Sequence, residues 1–173
     1  MKIAIVKLSA MGDIVHGAIV VQFIRQHYPD AQIDWICEEA FAAILEGNDD
    51  IHAIHTVSIK ALKKRRRFSD FLAQVRKLRQ LGPYDYVIDM QGLLKSAVVA
   101  RLIGGKTYGF DKNSTRESLA SCFYREACEI AYDANTIDRN IHVVASALHF
   151  SVTREAALAK APFLFFHDET FAF

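Results

Sequence analysis

The chain has 173 residues, of which 51% are hydrophobic and 24% are charged, and these values fit one globular domain of ordinary size rather than two. No apolar run approaches the roughly 20 residues that a membrane-spanning helix needs, and the N-terminal apolar run is too short for a signal peptide, so we expect a soluble, cytoplasmic protein. The net charge is only +1, yet six of the 21 basic residues lie at 60–67, so the positive charge is local.

Apolar, β-branched runs alternate with helical patterns along the chain. In chain order they predict a strand at 3–6, a helix at 14–27, a strand at 33–37, a short helix at 40–46, a strand at 53–57, a helix at 68–81, a strand at 86–89, a helix at 94–102, a strand at 106–110, and helices at 117–125 and 136–148. Such alternation predicts right-handed βαβ units and therefore a Rossmann-like, doubly wound α/β domain with a mostly parallel sheet. Ligands are expected beyond the carboxyl ends of its strands.

We place this domain at residues 1–150. Residues 151–173 are interpreted as a linker that runs into a further strand at 161–166, because the segment APFLFF is strongly apolar. That strand would be the first of a second domain that this chain does not contain.

A carboxylate follows the small-residue turn after the first strand, in the stretch KLSAMGDIVHG at 7–17. A helix begins with unpaired backbone N–H groups and a partial positive charge, so Asp13 in this place is typical of a helix cap. The same turn faces the ligand cleft of an α/β domain, where a carboxylate can act as a catalytic base. The residues alone leave both roles open.

The glycine motifs of nucleotide-binding proteins are incomplete. The stretch GGKT at 104–107 resembles a phosphate loop, but Ala100 stands where the first glycine is required, and the stretch precedes a strand instead of a helix. The first turn contains Gly12 and Gly17 without the G-x-G-x-x-G pattern. A nicotinamide or flavin site therefore has little support.

Metal and disulfide chemistry is not predicted either. His52 and His55 are three residues apart in a predicted strand, so we expect them to face opposite sides of it and predict no metal site. Cys37, Cys122 and Cys128 form no C-x-x-C pair, and their odd number argues against a disulfide framework. We interpret these cysteines as reduced core residues.

The run KKRRR at 63–67 is the densest charge in the chain. No aromatic side chains interleave it in the way that base stacking requires, so we do not predict nucleic-acid binding. An anionic membrane headgroup or an acidic sugar acceptor uses the same electrostatics and fits this context better.

Four stretches of residues 1 to about 150 resemble one family in the same order. They are KLSAMGDIVHG, DWICEEAFAAI, VIDMQGLLKSA and YGFDKNSTRESLASCFY, and together they resemble the lipopolysaccharide heptosyltransferases, glycosyltransferases of the GT-B type. The patterns DWxxEE and IDxQGLxKSA are more similar to the type that adds the first heptose to the Kdo-lipid A core than to the type that adds the second.

The resemblance implies an inverting transfer of L-glycero-D-manno-heptose from ADP-heptose to a hydroxyl of the inner Kdo, with no metal or other cofactor. GT-B enzymes bind the acceptor on the N-terminal domain and the nucleotide-sugar on a second one. ADP-heptose would thus need a C-terminal domain that this chain lacks, and we expect the chain alone to transfer heptose negligibly. The acceptor, Kdo-lipid A, implies a peripheral protein at the cytoplasmic face of the inner membrane.

The resemblance also assigns roles in the first turn. Asp13 resembles the base that removes the acceptor proton, Met11 and Gly12 would lie against the donor, and Ser9 would lie against the acceptor. Ala10 stands where the family usually has a second serine.

Basic residues are expected to pair with the carboxylates and phosphates of the acceptor. The resemblance assigns this role to a loop after the third strand, to the helix after the fourth and to a later loop, through Lys60, Lys63, Lys64, Arg65, Lys95 and Arg116. A solvated lysine at a helix start and a salt bridge in the first turn of a helix are the structural alternatives for Lys95 and Arg116.

Two other classes of protein remain open on the sequence. One is a different nucleotide-binding enzyme, which the missing glycine fingerprint disfavours. The other is a basic, anion-binding module without catalysis, which would tolerate Asp13→Asn but lose binding when the KKRRR run is neutralised.

Overall fold

The computed structural model describes residues 1–58 and 68–165, with Phe68 described for its backbone only. Within these ranges one parallel sheet contains the strands β1 (Lys2–Val6), β2 (Gln32–Glu38), β3 (Ala53–Val57), β4 (Tyr86–Asp89), β5 (Lys106–Phe110) and β6 (Glu126–Cys128). Their order is β3-β2-β1-β4-β5-β6, which is the doubly wound order of a Rossmann-like fold. The predicted fold class is confirmed.

The helices of the described ranges are α1 (Met11–Ala18), α2 (Val20–His27), α3 (Phe68–Arg79), α4 (Leu94–Ile103), α5 (Thr136–Leu148) and α6 (Arg154–Leu158), with 3-10 helices at Glu39–Ile44 and Ser118–Phe123. Alternate residues of β1 belong to two separate cores. Ile3 and Ile5 pack with α1, α2 and α5, whereas Ala4 and Val6 pack with α3 and α4. Because successive strand side chains point to opposite faces, the sheet is covered on both sides.

Several predicted elements differ from the structure. The helix predicted at 14–27 begins earlier, at Met11, and is divided at Ile19 into α1 and α2. The helix predicted at 117–125 is a shorter 3-10 helix, and β6, which follows it, was not predicted. A strand of three residues is too short to show an alternating pattern.

The strand predicted at 161–166 is wrong over the described residues 161–165, which have no regular secondary structure, while Phe166 lies outside the described residues. Phe163 and Leu164 pack against the same core as α1 and α5. The Phe163 carbonyl accepts a hydrogen bond from Asn48 Nδ2 at 3.0 Å. An extended apolar segment that packs against an existing core has the same apolar pattern in the sequence as a buried strand.

His52 and His55 do not face opposite sides, contrary to the prediction. His52 precedes β3, so strand alternation does not apply to it, and its Nδ1 lies 2.9 Å from Asp34 Oδ1. His55 Nε2 lies 3.3 Å from Asp34 Oδ2. Tyr84 donates to the same oxygen at 2.6 Å, and Lys2 Nζ lies 3.6 Å from it. Asp34, a residue of β2, is therefore the buried centre of a polar cluster. Lys2 begins β1, and His52 and Tyr84 precede β3 and β4, so the cluster lies away from the carboxyl ends of the strands.

The cysteines were predicted to be core residues, and this is wrong for one of them. Cys37 is buried and Cys128 is half-buried, but Cys122 is exposed on the 3-10 helix at Ser118–Phe123. Burial raises the pKa of the Cys37 thiol to about 12.

Gly109 in β5 lies directly under an aromatic ring, because a Cβ at this position would be 2.4 Å from the ring of Tyr124. Tyr124 in turn donates a hydrogen bond of 2.7 Å to the buried Asp89. We expect Gly109→Ala to lower the free energy of unfolding by about 2–3 kcal/mol, since the ring must move and Asp89 loses a donor. Urea unfolding followed by circular dichroism measures this.

Gly12→Ala is the control, since a Cβ there would meet no atom within 4 Å. We expect its free energy of unfolding to stay within about 1 kcal/mol of the parent chain. Equal unfolding midpoints for Gly109→Ala and Gly12→Ala would contradict the close packing under Tyr124.

Candidate active site at the switch point of the sheet

The candidate site lies where the direction of winding reverses, between the neighbouring strands β1 and β4. The chain continues from β1 into α1 on one face of the sheet and from β4 into α4 on the other. The carboxyl ends of parallel strands diverge at such a point and leave a crevice for a ligand. Residues after Val6 and Asp89, the last paired residues of the two strands, line this edge.

Asp13 occupies the third position of α1. The residue before the helix, Ala10, has extended backbone (φ −93°, ψ −174°) and no side chain that can cap. Its N–H instead donates to Asp13 Oδ2 at 3.2 Å, which is one half of a capping box. The helix begins before Asp13 for this reason, and the capping role predicted for Asp13 is confirmed. Its side chain is half-buried at the edge of the crevice. None of its described contacts tests the role of catalytic base, which stays a prediction.

Met11 and Gly12, which were predicted to lie against the donor, form the first two positions of α1. Met11 is 59% exposed. Gly12 is exposed as well, and none of the described atoms lies within 4 Å of where its Cβ would be. Packing within the described part of the protein therefore gives no reason for a glycine at this position.

Ser9 and Lys95 are brought together, although 86 residues separate them. Lys95 Nζ donates to Ser9 Oγ at 2.8 Å and lies 3.4 Å from Glu38 Oε1. Gln91 Nε2 donates to the same hydroxyl at 3.3 Å. Two donors fill the two lone pairs of the hydroxyl, so its proton is left to be donated to another group. Lys95 is thus not the solvated lysine of the structural alternative.

Gln91 is hydrogen-bonded to the first turn through both atoms of its side-chain amide. Its Oε1 accepts hydrogen bonds from Leu8 N at 2.8 Å and from Ser9 N at 3.3 Å, and its Nε2 donates to the Ser9 carbonyl at 2.8 Å. On its other side the turn is held by β2, since Glu38 N donates to the Leu8 carbonyl at 2.9 Å. Both edges of the turn are paired.

Lys7 is a buried cation behind the turn, only 5% exposed. Its Nζ donates to the Met90 carbonyl at 2.8 Å and to Asn140 Oδ1 at 3.3 Å. Burial lowers the pKa of Lys7, while the negative charges of Asp13 and Asp89 oppose that change. The Lys7 amino group is thus buried next to the first turn and is held by two acceptors.

Asp89 ends β4 and is fully buried. Its Oδ1 accepts from Gln91 N at 2.8 Å and from Gly92 N at 3.2 Å, and its Oδ2 accepts from Tyr124. Burial raises the pKa of Asp89, and these hydrogen bonds oppose the rise. The carboxylate fixes the backbone of the turn after β4.

Arg116 lies on the loop between β5 and the 3-10 helix, and its side chain is exposed. Among residues 1–58 and 68–165 no salt bridge involves it, so the structural alternative finds no support there. The adjacent Glu117 accepts a hydrogen bond of 2.7 Å from Leu94 N, at the start of α4. This contact places the Arg116 loop beside the helix that carries Lys95.

The four basic residues predicted to bind the acceptor after the third strand, Lys60, Lys63, Lys64 and Arg65, lie outside the described residues. Among the residues that are described, no three His, Cys, Asp or Glu side chains are grouped so that they could hold a metal ion. Each described helix is also too short or too polar to cross a lipid bilayer.

No site role was predicted for Lys7, Glu38, Asp89 or Gln91. All four are polar residues at or just after the end of a buried strand, at the edge where ligands of parallel sheets bind. That position was a usable signal. Their partners could not be foreseen, because each contact depends on which strands become neighbours.

Comparison with known proteins supports the family that the four stretches indicated. The family model described as glycosyltransferase family 9 (heptosyltransferase) matches residues 72–170. Lipopolysaccharide heptosyltransferase 1 of Campylobacter coli is 38% identical over 149 residues, which are 86% of this chain and 42% of the relative. The protein of the same name from Escherichia coli K12 is 35% identical over 155 residues, which are 87% of this chain and 49% of the relative.

A solved structure gives the same result. The E. coli heptosyltransferase WaaC with ADP-2-deoxy-2-fluoro heptose matches with a TM-score of 0.82 and 33% identity over 89% of this chain and 50% of that one. The chain spans half the length of these relatives or less. The family model covers more than half of the chain, and the chain therefore belongs to glycosyltransferase family 9.

Proposed function

We propose that this chain is the acceptor-binding half of a heptosyltransferase I, which transfers L-glycero-D-manno-heptose from ADP-heptose to the inner Kdo of Kdo-lipid A with inversion. Residues 1–150 would be the acceptor domain, and residues 151–173 would lead to a donor-binding domain. The observation that carries the proposal is the placement of Asp13, Ser9 and Lys95 together at the switch point of the sheet. The relatives named above support the reaction class.

Asp13 would act as the base. As the acceptor hydroxyl attacks the anomeric carbon, its proton passes to the Asp13 carboxylate, and the bond to the diphosphate of ADP breaks on the opposite face. One displacement of this kind inverts the anomeric centre. The N-terminus of α1 and the Ala10 N–H hold the carboxylate in place, so its contribution comes from placement.

The acceptor carries carboxylates and phosphates, and it would be held by cations around the crevice. Lys95 and the hydroxyl of Ser9 would form one contact, and the exposed Arg116 would form another. The basic residues at 60–65 would add to this field. Gly12, for which the described part of the protein has no packing requirement, would let the donor approach the backbone.

Such an acceptor is anchored in a membrane, and we propose that the protein works as a peripheral protein at the cytoplasmic face of the inner membrane. A local basic surface is attracted to anionic lipids as well as to the acceptor. Co-sedimentation with vesicles that contain phosphatidylglycerol, compared with vesicles of phosphatidylcholine alone, tests this part of the proposal.

Binding of the acceptor can be measured on this chain. We expect Arg116→Ala to weaken the binding of deacylated Kdo-lipid A roughly tenfold, because a charge-assisted hydrogen bond to a carboxylate or phosphate contributes about 1.5 kcal/mol. Isothermal titration calorimetry at two salt concentrations gives the affinity and its electrostatic part.

Arg101→Ala is the matched control. Arg101 is exposed near the carboxyl end of α4, away from the crevice, and we expect its removal to leave the affinity within twofold. Equal losses for both variants would mean that the acceptor senses only the overall charge, and no binding by the parent chain would contradict the proposed function.

A further inference from the structure

We propose that Gln91 is the positioning residue of this site, whose side-chain amide extends the pairing of β1 with β4 and fixes the turn that carries Ser9 and leads to Asp13. The hydrogen bonds of the Gln91 amide to this turn form what we call the Gln91 clamp, and the clamp rests on geometry alone. Its importance for acceptor binding rests on the proposed function.

Backbone pairing between the two strands ends just before the site. Val6 and Asp89 are the last paired residues, and Met90 N still donates to the Val6 carbonyl at 3.0 Å. Beyond this point the backbone after β4 turns away through Gly92, which has a positive φ of 67°. On the edge that faces β4, the N–H groups of Leu8 and Ser9 and the Ser9 carbonyl would then have no strand beside them.

The amide of Gln91 supplies the missing pairing. Its oxygen accepts from the N–H groups of Leu8 and Ser9, and its nitrogen donates to the carbonyl of Ser9, all at 2.8–3.3 Å. A primary amide presents an acceptor and a donor side by side, as the C=O and N–H of one strand residue do along the edge of a sheet. The side chain therefore makes the hydrogen bonds that a further strand residue would make on this edge of the turn.

Gln91 is itself held rigidly. Its own N–H and that of Gly92 donate to the buried carboxylate of Asp89, which also receives the hydroxyl of Tyr124. The amide thus reaches the turn from a backbone segment that is fixed by a fully buried group, and this rigidity is what a positioning role requires.

The turn that Gln91 holds is connected directly to the Asp13 carboxylate and to the Ser9 hydroxyl. Ser9, held by Gln91 on both its N–H and its carbonyl, is followed directly by Ala10, whose N–H donates to Asp13 and whose carbonyl accepts from Ile14 N at 3.0 Å. The same amide nitrogen also orients the Ser9 hydroxyl, together with Lys95. Loss of the amide would loosen both features at once.

The first experiment measures hydrogen exchange by NMR on the full 173-residue chain. In Gln91→Ala we expect the amide protection factors of Leu8 and Ser9 to fall roughly 30-fold or more, while those of the core amides Ile5 and Ile88 stay within about twofold. The control is Gln80→Ala, an exposed glutamine after α3, which should change none of them. Unchanged Leu8 and Ser9 protection in Gln91→Ala, or an equal loss at Ile5 and Ile88, would overturn the proposal.

Gln91→Glu adds a pH readout that simple loss of packing would not produce. At pH 7 the introduced carboxylate places an oxygen where Nε2 faced the Ser9 carbonyl, so the two oxygens repel and the turn should lose protection. At pH 4 the protonated carboxyl group of this variant can donate to that carbonyl, and protection should recover relative to the parent chain at the same pH. Protection that is the same at both pH values would overturn the requirement for a donor.

Binding of deacylated Kdo-lipid A separates the two proposals. We expect Gln91→Ala to bind it about fivefold more weakly than the parent chain and Gln80→Ala to bind it normally. If the parent chain does not bind deacylated Kdo-lipid A, the proposed function fails, while hydrogen exchange still shows whether Gln91 holds the turn at Leu8 and Ser9. If the parent chain binds and Gln91→Ala binds equally well, the positioning role fails while the proposed function stands.

Discussion

Asp13→Asn is expected to lower the rate of heptose transfer by about 10³-fold while the affinity for the acceptor stays within twofold. The asparagine has the same shape, and its Oδ1 can still accept the hydrogen bond from Ala10 N, so α1 keeps its cap. An amide cannot take up the proton of the attacking hydroxyl. The effect should therefore appear in kcat and not in binding.

The measurement uses this chain fused to the C-terminal half of E. coli WaaC, with ADP-heptose and deacylated Kdo-lipid A as substrates. The unfused chain is expected to transfer negligibly, because an acceptor bound without a positioned donor gains no lowering of the barrier. The intact mass of the native gene product shows whether such a fusion restores a natural arrangement.

Asp138→Asn is the matched control for this prediction. Asp138 is at the third position of α5, as Asp13 is at the third position of α1, but Asp138 is exposed and none of the contacts described for the crevice involves its side chain. Its variant should transfer heptose at the parent rate. A fusion with Asp13→Asn that kept more than a tenth of the parent rate would leave Asp13 with the capping role alone.

Asp34→Asn is expected to lower the free energy of unfolding by about 3 kcal/mol at pH 7, without a direct effect on the crevice. The Asp34 side chain is 2% exposed and receives Tyr84, His52 and His55. Asparagine keeps the volume but loses the charge, and one of its two polar atoms can no longer accept a hydrogen bond. At least one partner is then left without an acceptor.

This loss should depend on pH. Burial by itself would raise the pKa of Asp34, but hydrogen bonds from His55, Tyr84 and His52 outweigh it and hold the pKa well below the ordinary value of 3.8. A depressed carboxyl pKa stabilises the folded state above the unfolded value, and this stability is lost as the pH falls through the folded one. The difference between the parent chain and Asp34→Asn should therefore shrink as the pH drops below about 4.

Urea unfolding at pH 7, 4 and 3 measures the dependence, with Asp30→Asn as the control because Asp30 is exposed. The control should stay within about 0.5 kcal/mol of the parent chain throughout. A difference for Asp34→Asn that did not vary with pH would mean that packing, and not the charge, accounts for it.

The elements with strong local signals could be predicted from the sequence. The bounds predicted at 53–57, 86–89, 106–110 and 136–148 agree with β3, β4, β5 and α5, because each is a short run that contains β-branched or aromatic residues, or a helical stripe, with clear ends. The start of α1 was placed three residues late, because its N-cap is an alanine and the capping carboxylate lies inside the helix. The sequence signal marks the carboxylate and not the end of the helix.

The site could be predicted only in part. Asp13, Ser9 and Lys95 were selected by the family resemblance, and the structure places them at one edge of the sheet. Ser9 and Lys95 contact each other across 86 residues, Lys95 contacts Glu38 across 57, and Ser9 contacts Gln91 across 82. Such pairs follow from the strand order and not from any local pattern. The prediction that His52 and His55 face opposite sides was wrong because His52 precedes β3, and the alternation of strand side chains does not apply to it.

The link between the Arg116 loop and α4 affects the affinity with which the site could bind an anion. Glu117 accepts from Leu94 N, and the Thr115 hydroxyl donates to the Gly92 carbonyl, so the segment that carries Arg116 and the segment that carries Lys95 are fastened at two points. The loss of conformational entropy on ordering the two backbones has already occurred during folding. A ligand that bridges the two cations would have to immobilise only their side chains, and more of each contact would remain as net affinity.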